Sequence, residues 1–348
     1  MGGGRKRRIF HDDIFGEIIS LGNLFSAWRE FKKGKTKRFD VQEFEFSLED
    51  NLFLLHQELN SRIYEHSDYT PFYITDPKLR YIYKACVKDR VVHQAIFRIL
   101  YSIFDKNFIY DSFSCRVNKG THRAVNRLKE FCDKLSKNNS RNIFVLKCDI
   151  KKFFDSVDQE ILTEAIKNKT SDQDFIWLIE KIIKSYKKEE DRGIPLGNVT
   201  SQLFANVYLN ELDQFIKHKL KIEYYIRYCD DFVILEENKS DLFLIAEKIN
   251  EFLNNSLSLS LHSDKIVIRE YRQGIDFLGY VVLPYHKVLR TRTKRRVLKK
   301  IIKRKEQFEQ KLVSGKSFNQ SVQSYLGILN HCNGYNFKKK ILKIINLI

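Results

Sequence analysis

The stretch "YYIRYCDDFVIL", Tyr224–Leu235, decides the reading of this chain. Its aromatic and β-branched residues have the composition of a buried pair of strands, yet two adjacent acids stand at its middle. Taking an unpaired carboxylate out of water costs several kcal/mol unless a counter-charge or a metal replaces the lost solvation. Neighbouring side chains of a strand point to opposite faces, so Asp230 and Asp231 reach one place only if they sit at a hairpin turn, a position that Asp favours. A third acid, Asp149, ends the apolar strand "NIFVLKCDI". If the two strands are neighbours in one sheet, three carboxylates converge. Hard oxygen donors of this kind suit Mg2+, with Mn2+ as a substitute, and a pair of such ions can activate an attacking hydroxyl and stabilise a leaving pyrophosphate.

The bulk of the sequence agrees with a polyanionic partner. The chain has 348 residues, 43% of them hydrophobic, and a net charge of +18, a balance that favours nucleic acid over a small neutral substrate. Its six cysteines are scattered, with no C-x-x-C pair, and read as reduced thiols of a cytoplasmic protein. No apolar run approaches the ~20 residues of a membrane span, and "MGGGRKRRIF" lacks the apolar core of a signal peptide. No membrane partner is expected.

Along the chain, residues 14–63 read as helical with a basic interruption at "FKKGKTKRF", and Pro77 predicts a turn between two strands in "TPFYITDPKLRYIYKA". Helical spacing recurs in "KDRVVHQAIFRILYSIF" and "HRAVNRLKEFCDKL". Ser156 and Gln159 are placed to form a capping box for the helix "DQEILTEAIKN". The turn "DRGIPLGN" opens a long helix near Thr200. A helix around Leu242–Leu253 then precedes the strands "KIVIRE" and "GIDFLGYVVLP", and the tail is helical and basic. With no regular βαβ alternation the fold class is α+β with a small antiparallel sheet. In "RTRTKRRVLKKIIKRK", Arg292, Arg295, Arg296, Lys299, Lys300 and Lys303 surround one helix with Val297, Leu298, Ile301 and Ile302 interleaved. The apolar face would dock on the body and the basic face track phosphates, each neutralised phosphate steepening the salt dependence by ~0.9 on a log-log slope for duplex DNA.

Five ordered segments, "FVLKCDIKKFFDSVD", "GIPLGNVTSQLFANVYLNELD", "YIRYCDDFVIL", "SDKIVI" and "GIDFLGY", resemble the successive palm motifs of reverse transcriptases. "DPKLRYIYKACVKDRVVHQAI" and "YDSFSCRVNKGTHRAV" resemble the fingers motifs of the branch that includes group II intron enzymes. The resemblance implies a right-hand polymerase fold. Its parts would be an N-terminal helical extension (1–50), fingers (51–142), a palm (143–285) with an interleaved fingers segment at about 159–200, and a helical basic thumb (286–348).

By the same resemblance Asp149, Asp230 and Asp231 are the metal-binding acids, joined by Ile150 at the metal site. Phe154 matches the bulky gate that excludes a ribose 2′-hydroxyl, while the adjoining Phe153 faces the nucleotide or packs in the core. Arg80, with Lys78 near it, matches the fingers position that holds the incoming dNTP. Lys265 matches a lysine that assists pyrophosphate departure, or is a solvated surface lysine. Phe277, Leu278, Gly279 and Tyr280 match the primer grip.

Most reverse transcriptases carry glutamine-glycine in the turn before the long helix and serine-proline a few residues on, whereas this chain has Leu196-Gly197 and Ser201-Gln202. "LGNVTSQ" resembles the variant of diversity-generating retroelements, whose enzymes misincorporate opposite template adenines. That resemblance implies a template RNA, an RNA/DNA hybrid and a small basic accessory protein oligomer as partners, in a bacterial or phage-encoded system. A faithful intron-type or defence-associated enzyme, or a non-catalytic RNA-binding scaffold, are the other readings. No ribonuclease H, integrase or nuclease module is legible, so RNA removal and DNA nicking are expected to fall to other proteins.

Overall fold

The computed structural model describes residues 13–76 and 78–345. Four helices come first: α1 (Ile14–Ile19), α2 (Leu21–Phe31), α3 (Phe39–Phe46) and α4 (Leu48–Asn60). The basic interruption is the turn between α2 and α3. The antiparallel hairpin β1 (Thr70–Ile74) and β2 (Arg80–Lys84) follows, as the proline signal predicts, although Pro77 itself lies outside the described residues. Helices α5 (Val87–Phe104) and α6 (Thr121–Leu135) lead into β3 (Phe144–Asp149). Then come α7 (Phe153–Ser156), α8 (Gln159–Lys167), α9 (Gln173–Lys184) and the long α10 (Val199–Gln214).

The hairpin β4 (Tyr225–Tyr228) and β5 (Asp231–Glu236) is followed by α11 (Lys239–Leu257) and β6 (Val267–Glu270). The short strands β7 (Ile275–Phe277), β8 (Tyr280–Val282) and β9 (Lys287–Leu289) precede α12 (Thr291–Glu309), α13 (Gly315–Leu329) and α14 (Tyr335–Ile345). Among the described residues no helix is long and apolar enough to cross a membrane.

The central sheet runs in the order β4-β5-β3-β6, with every pair antiparallel. It is buried on both faces, and the period of two sorts its side chains. Leu146, Cys148, Phe232 and Ile234 join the core built with α5, α8 and α10. Val145, Val233 and Leu235 join a second core with α6, the β7–β9 sheet and the C-terminal helices. Lys147, Asp149 and Asp231 continue that second face at its open end.

Two expectations are corrected. Asp158, not Ser156, caps α8: its carboxylate accepts from the N–H groups of Glu160 and Ile161 at 3.0 and 3.1 Å. Gln159 is buried instead, its amide donating to the carbonyls of Tyr186 and Gly193 at 2.7 and 2.9 Å. It cannot turn back on the helix end because it ties down the 186–193 loop. "GIDFLGYVVLP" is likewise not one strand but the hairpin β7–β8, with Leu278 and Gly279 at φ 49° and 88° forming a two-residue turn.

The β4–β5 hairpin is anchored from behind by a buried ion pair. Arg227 on β4 and Asp213 at the end of α10 are both fully buried. The guanidinium donates to the two carboxylate oxygens at 2.7 and 2.6 Å, and also to Asn206 Oδ1 and the Cys229 carbonyl, both at 3.2 Å. The Tyr225 hydroxyl donates to the same carboxylate at 2.7 Å. Removing one partner strands a buried charge, which costs about 3–5 kcal/mol. Asp213→Asn is therefore expected to lower unfolding stability by about that amount. Urea denaturation checks it, and a loss under about 1 kcal/mol, the scale of a surface pair, would contradict the anchoring role.

Candidate active site

The register of β3 against β5 places Asp149 opposite Asp231, and β4 pairs Tyr228 with Asp231. Cys229 and Asp230 are thus the turn of the hairpin, Cys229 adopting a left-handed φ of 56°. The Ile150 N–H donates to the Asp230 carbonyl at 3.2 Å, which ties the turn to the end of β3. Asp149 and Asp231 thus face each other across the sheet with Asp230 in the adjoining turn, as the pairing of the two strands was expected to bring about. Ile150 contributes through this backbone link, its side chain being buried in the core.

Asp149 and Asp231 line a cleft of about 380 Å³ with Lys78, Lys147, Lys265, Asp276 and Arg290 among its walls. Lys265 Nζ donates to Asp149 Oδ1 at 2.6 Å. Lys147 Nζ lies 3.3 Å from Asp231 Oδ2 and donates to the Asp276 carbonyl at 3.0 Å. Burial, then repulsion from Asp149, raises the Asp230 pKa above the usual carboxylate range. Burial pushes Asp231 up to about 6, against the pull of Lys147. Asp231 Oδ1 is buried with no hydrogen-bond partner.

These observations bear on whether the site suits divalent cations. Among the described residues no three acids, histidines or cysteines are preassembled around one metal position, since Lys265 and Lys147 engage two of the carboxylates. The unpartnered Asp231 oxygen and the two elevated carboxylates nevertheless leave negative charge uncompensated at one spot, and the donors are all hard oxygens, which fits Mg2+ or Mn2+. Bound there, a divalent ion would be held by Asp149, Asp230 and Asp231 and would supply charge stabilisation to a transferring phosphoryl group.

The residues expected to hold a nucleotide distribute over two cavities. Arg80 and Leu196 line a cavity of about 230 Å³ with Tyr83, Asp155, Tyr186 and Lys188, while Lys78 lies in the acidic cleft. Phe154 is half-buried, and its carbonyl accepts from the Ile194 N–H at 2.9 Å, linking it to the Leu196 turn. Phe153 is the exception. It is 2% exposed and packs on Phe154 and Tyr208, so it is a core residue, removed from nucleotide contact by facing the side of α10.

Gly197 has φ 129°, and a Cβ there would come within 2.8 Å of Ile82 Cγ2. Only glycine lets the turn lie this close to β2. Gln202 is exposed. In the segment expected to be the primer grip, Phe277 and Tyr280 are buried, and Leu278 and Gly279 form the tip of the β7–β8 hairpin.

On α12, Arg292, Arg295, Arg296, Lys299, Lys300 and Lys303 are all exposed while Val297 and Ile301 are buried, giving the expected two faces. Leu298 is half-buried, and Ile302 stays 43% exposed. Lys300 and Arg296 pair with Asp76 at the tip of the β1–β2 hairpin.

Lys147 and Arg227 were not singled out from sequence. Both carried a signal: Lys147 stands two residues before Asp149 and so shares its face of the strand, and Arg227 is a charge inside an apolar strand that demands a partner.

Residues 75–282, more than half of the chain, match the family described as reverse transcriptase (RNA-dependent DNA polymerase). The chain belongs to that family, and its fold is that of a right-hand polymerase. It is 27% identical over 283 residues to Protein YkfC of Escherichia coli (strain K12), covering 70% of this chain and 72% of that one. It is 25% identical over 408 residues to the group II intron-encoded protein LtrA of Lactococcus lactis subsp. cremoris, covering 96% of this chain and 63% of LtrA. A solved structure of apo telomerase from Candida Tropicalis, truncated from its C-terminal domain, matches with a TM-score of 0.48 and 16% identity over 69% of this chain and 60% of that one.

Asp230→Asn separates chemistry from folding. It is expected to lower primer extension ~10³-fold or more, the scale of several kcal/mol of lost charge stabilisation. A folded-state pKa above the ordinary one means that the fold disfavours the ionised form at neutral pH. The melting temperature of the metal-free variant should therefore equal or exceed that of the wild type. Wild-type activity in this variant, or a large drop in melting temperature, would refute the assignment.

Proposed function

We propose that this RNA-directed DNA polymerase is the reverse transcriptase of a diversity-generating retroelement. It copies a template RNA into cDNA, misincorporates opposite template adenines, and serves mutagenic retrohoming together with a small basic accessory protein oligomer in a bacterial or phage-encoded system. The observation that carries this reading is the turn Leu196-Gly197 before α10 with Ser201-Gln202 at the start of that helix, Leu196 lining the same cavity as Arg80. An aliphatic side chain at a nascent base pair offers shape without a hydrogen bond, and apolar contacts supply only ~1–3 kcal/mol of selectivity. The adenine preference rests on the resemblance of "LGNVTSQ" to the retroelement variant.

In the reaction Arg80 and Lys78 hold the incoming dNTP from the fingers side. Phe154 closes the pocket to a ribose 2′-hydroxyl, and Lys265 stands beside Asp149 where pyrophosphate departs. The phosphodiester products are tracked by the basic face of α12, and the β7–β8 turn supports the primer. Mg2+, or Mn2+ in its place, is the proposed cofactor.

A second reading, a faithful group II intron-type enzyme, draws on the similarity to the group II intron-encoded protein LtrA, which extends over 96% of this chain. Primer extension on a defined RNA template, followed by sequencing of the cDNA, distinguishes the two. The proposal expects substitutions concentrated at template adenines and about tenfold fewer of them in Leu196→Gln, within the selectivity range of one pocket contact. Faithful cDNA from the wild type would favour the intron-type reading.

The role of α12 has its own test. Lys299→Gln and Lys303→Gln are each expected to weaken binding of an RNA/DNA hybrid and to reduce the log-log salt slope by about one unit per lost phosphate contact. Unchanged slopes in fluorescence-anisotropy titrations would remove these residues from the nucleic-acid surface.

A further inference from the structure

Behind the Leu196 turn runs a chain of buried polar groups that the chemistry above does not use. Asp89, fully buried in the first turn of α5, accepts from the Tyr64 hydroxyl at 2.7 Å, the Ser67 N–H at 3.0 Å and the Cys86 thiol at 3.1 Å. His66 Nδ1 donates to the Ser67 carbonyl at 2.6 Å, with the Asp89 carboxylate 3.7 Å away, and its Nε2 lies 3.1 Å from Nε2 of His93. His93 is 1% exposed and turns its other nitrogen, Nδ1, to the Thr200 hydroxyl at 2.7 Å. Burial pushes the His93 pKa down to about 3. The ring is therefore neutral, with one nitrogen donating and the other accepting. Two histidine nitrogens facing each other do not make a metal site here, because among the described residues no third ligand joins them.

The chain of bonds ends at a telling place. Thr200 lies in the first turn of α10, four positions after Leu196. On the other side the Leu196 carbonyl accepts from the Tyr83 N–H at 2.9 Å, and Gly197 is pressed against Ile82. The turn is thus held at two points, by β2 where it begins and by His93 where it becomes helix. A valine would fill the volume of Thr200; the hydroxyl adds a directional bond that fixes the rotation and height of the helix start.

We propose that His93, acting through the Thr200 hydroxyl, is a positioning residue that sets how far Leu196 projects into the nucleotide cavity and thereby the ratio of incorrect to correct insertion. This rests on the reading of Leu196 as the base-facing residue. His66, anchored by the Ser67 carbonyl, holds the imidazole in place, so base selection is governed from the buried side of the fingers as well as from the cavity wall.

The test uses the full chain on a defined RNA template and DNA primer. It measures single-nucleotide insertion of right and wrong dNTPs for the wild type, Thr200→Val, Thr200→Ser and Leu196→Gln, with melting temperature and hybrid affinity alongside. Thr200→Val is expected to change the wrong-to-right ratio of kcat/KM on the order of tenfold, as for a sub-ångström misplacement near a reacting centre. Correct insertion and hybrid affinity should change little. Thr200→Ser, which keeps the hydroxyl, should restore the wild-type ratio.

If Leu196→Gln shifts the ratio and Thr200→Val does not, the positioning role is overturned while the reading of Leu196 stands. If neither shifts it, the reading of Leu196 fails and this inference fails with it. If Thr200→Val loses right and wrong insertion in equal proportion, or does not fold, the hydroxyl is a structural bond only and the inference is overturned.

Discussion

The register between β3 and β5 is the constraint on which the active site depends. Asp149 opposes Asp231 because Val145 and Val233 on one face, and Leu146, Cys148, Phe232 and Ile234 on the other, each find a core. A slip of one residue would turn every apolar side chain of β3 to the wrong core and carry Asp149 off the face of Asp231. The hydrophobic pattern of a doubly buried strand thus fixes the position of a charge that no hydrophobic force would place. Arg227 completes the arrangement from behind. By donating to the Cys229 carbonyl it holds the turn whose next residue is Asp230.

Sheet geometry also explains why Lys147 belongs to the site. It shares the face of Asp149 and Asp231, and its ammonium reaches both Asp231 and the carbonyl of Asp276 on β7. The acidic turn and the β7–β8 hairpin are therefore joined through one side chain. Without cations the negative charge of the three acids is partly met by lysines. Divalent ions and a triphosphate would exchange those contacts for their own, and the acids need little movement to accept them because the backbone pairing already holds them together.

Much of this was legible in the sequence because it follows from short-range rules. The hairpin at Asp230-Asp231, the strand ending at Asp149, the paired strands β1 and β2 and the two-faced helix α12 all follow from side-chain period, turn chemistry and the cost of burying charge. The errors arose where a distant partner decided the outcome. Gln159 has the spacing of a capping box, but the carbonyls of Tyr186 and Gly193 claim its amide. Phe153 and Phe154 are adjacent aromatics at the start of a helix, and only the position of α10 determines which of them is sealed in the core. The segment around Leu278 reads as continuous strand because leucine rarely adopts positive φ; the pairing of β7 with β8 imposes it. The polar chain from Asp89 to Thr200 joins residues more than a hundred positions apart, and no local pattern announces it.

The energetic scale of the contacts divides the molecule by function. The Arg227–Asp213 pair is wholly buried and multiply hydrogen-bonded, so the hairpin bearing the acids is held stiffly. The contact between the β1–β2 tip and α12 is made by Asp76 with Lys300 and Arg296, side chains that are more than two-fifths exposed. Pairs of that kind contribute at most about 1 kcal/mol each and weaken with salt. Rigidity thus sits behind the register that brings Asp149 to Asp231, and lability at the contact between the β1–β2 tip and α12.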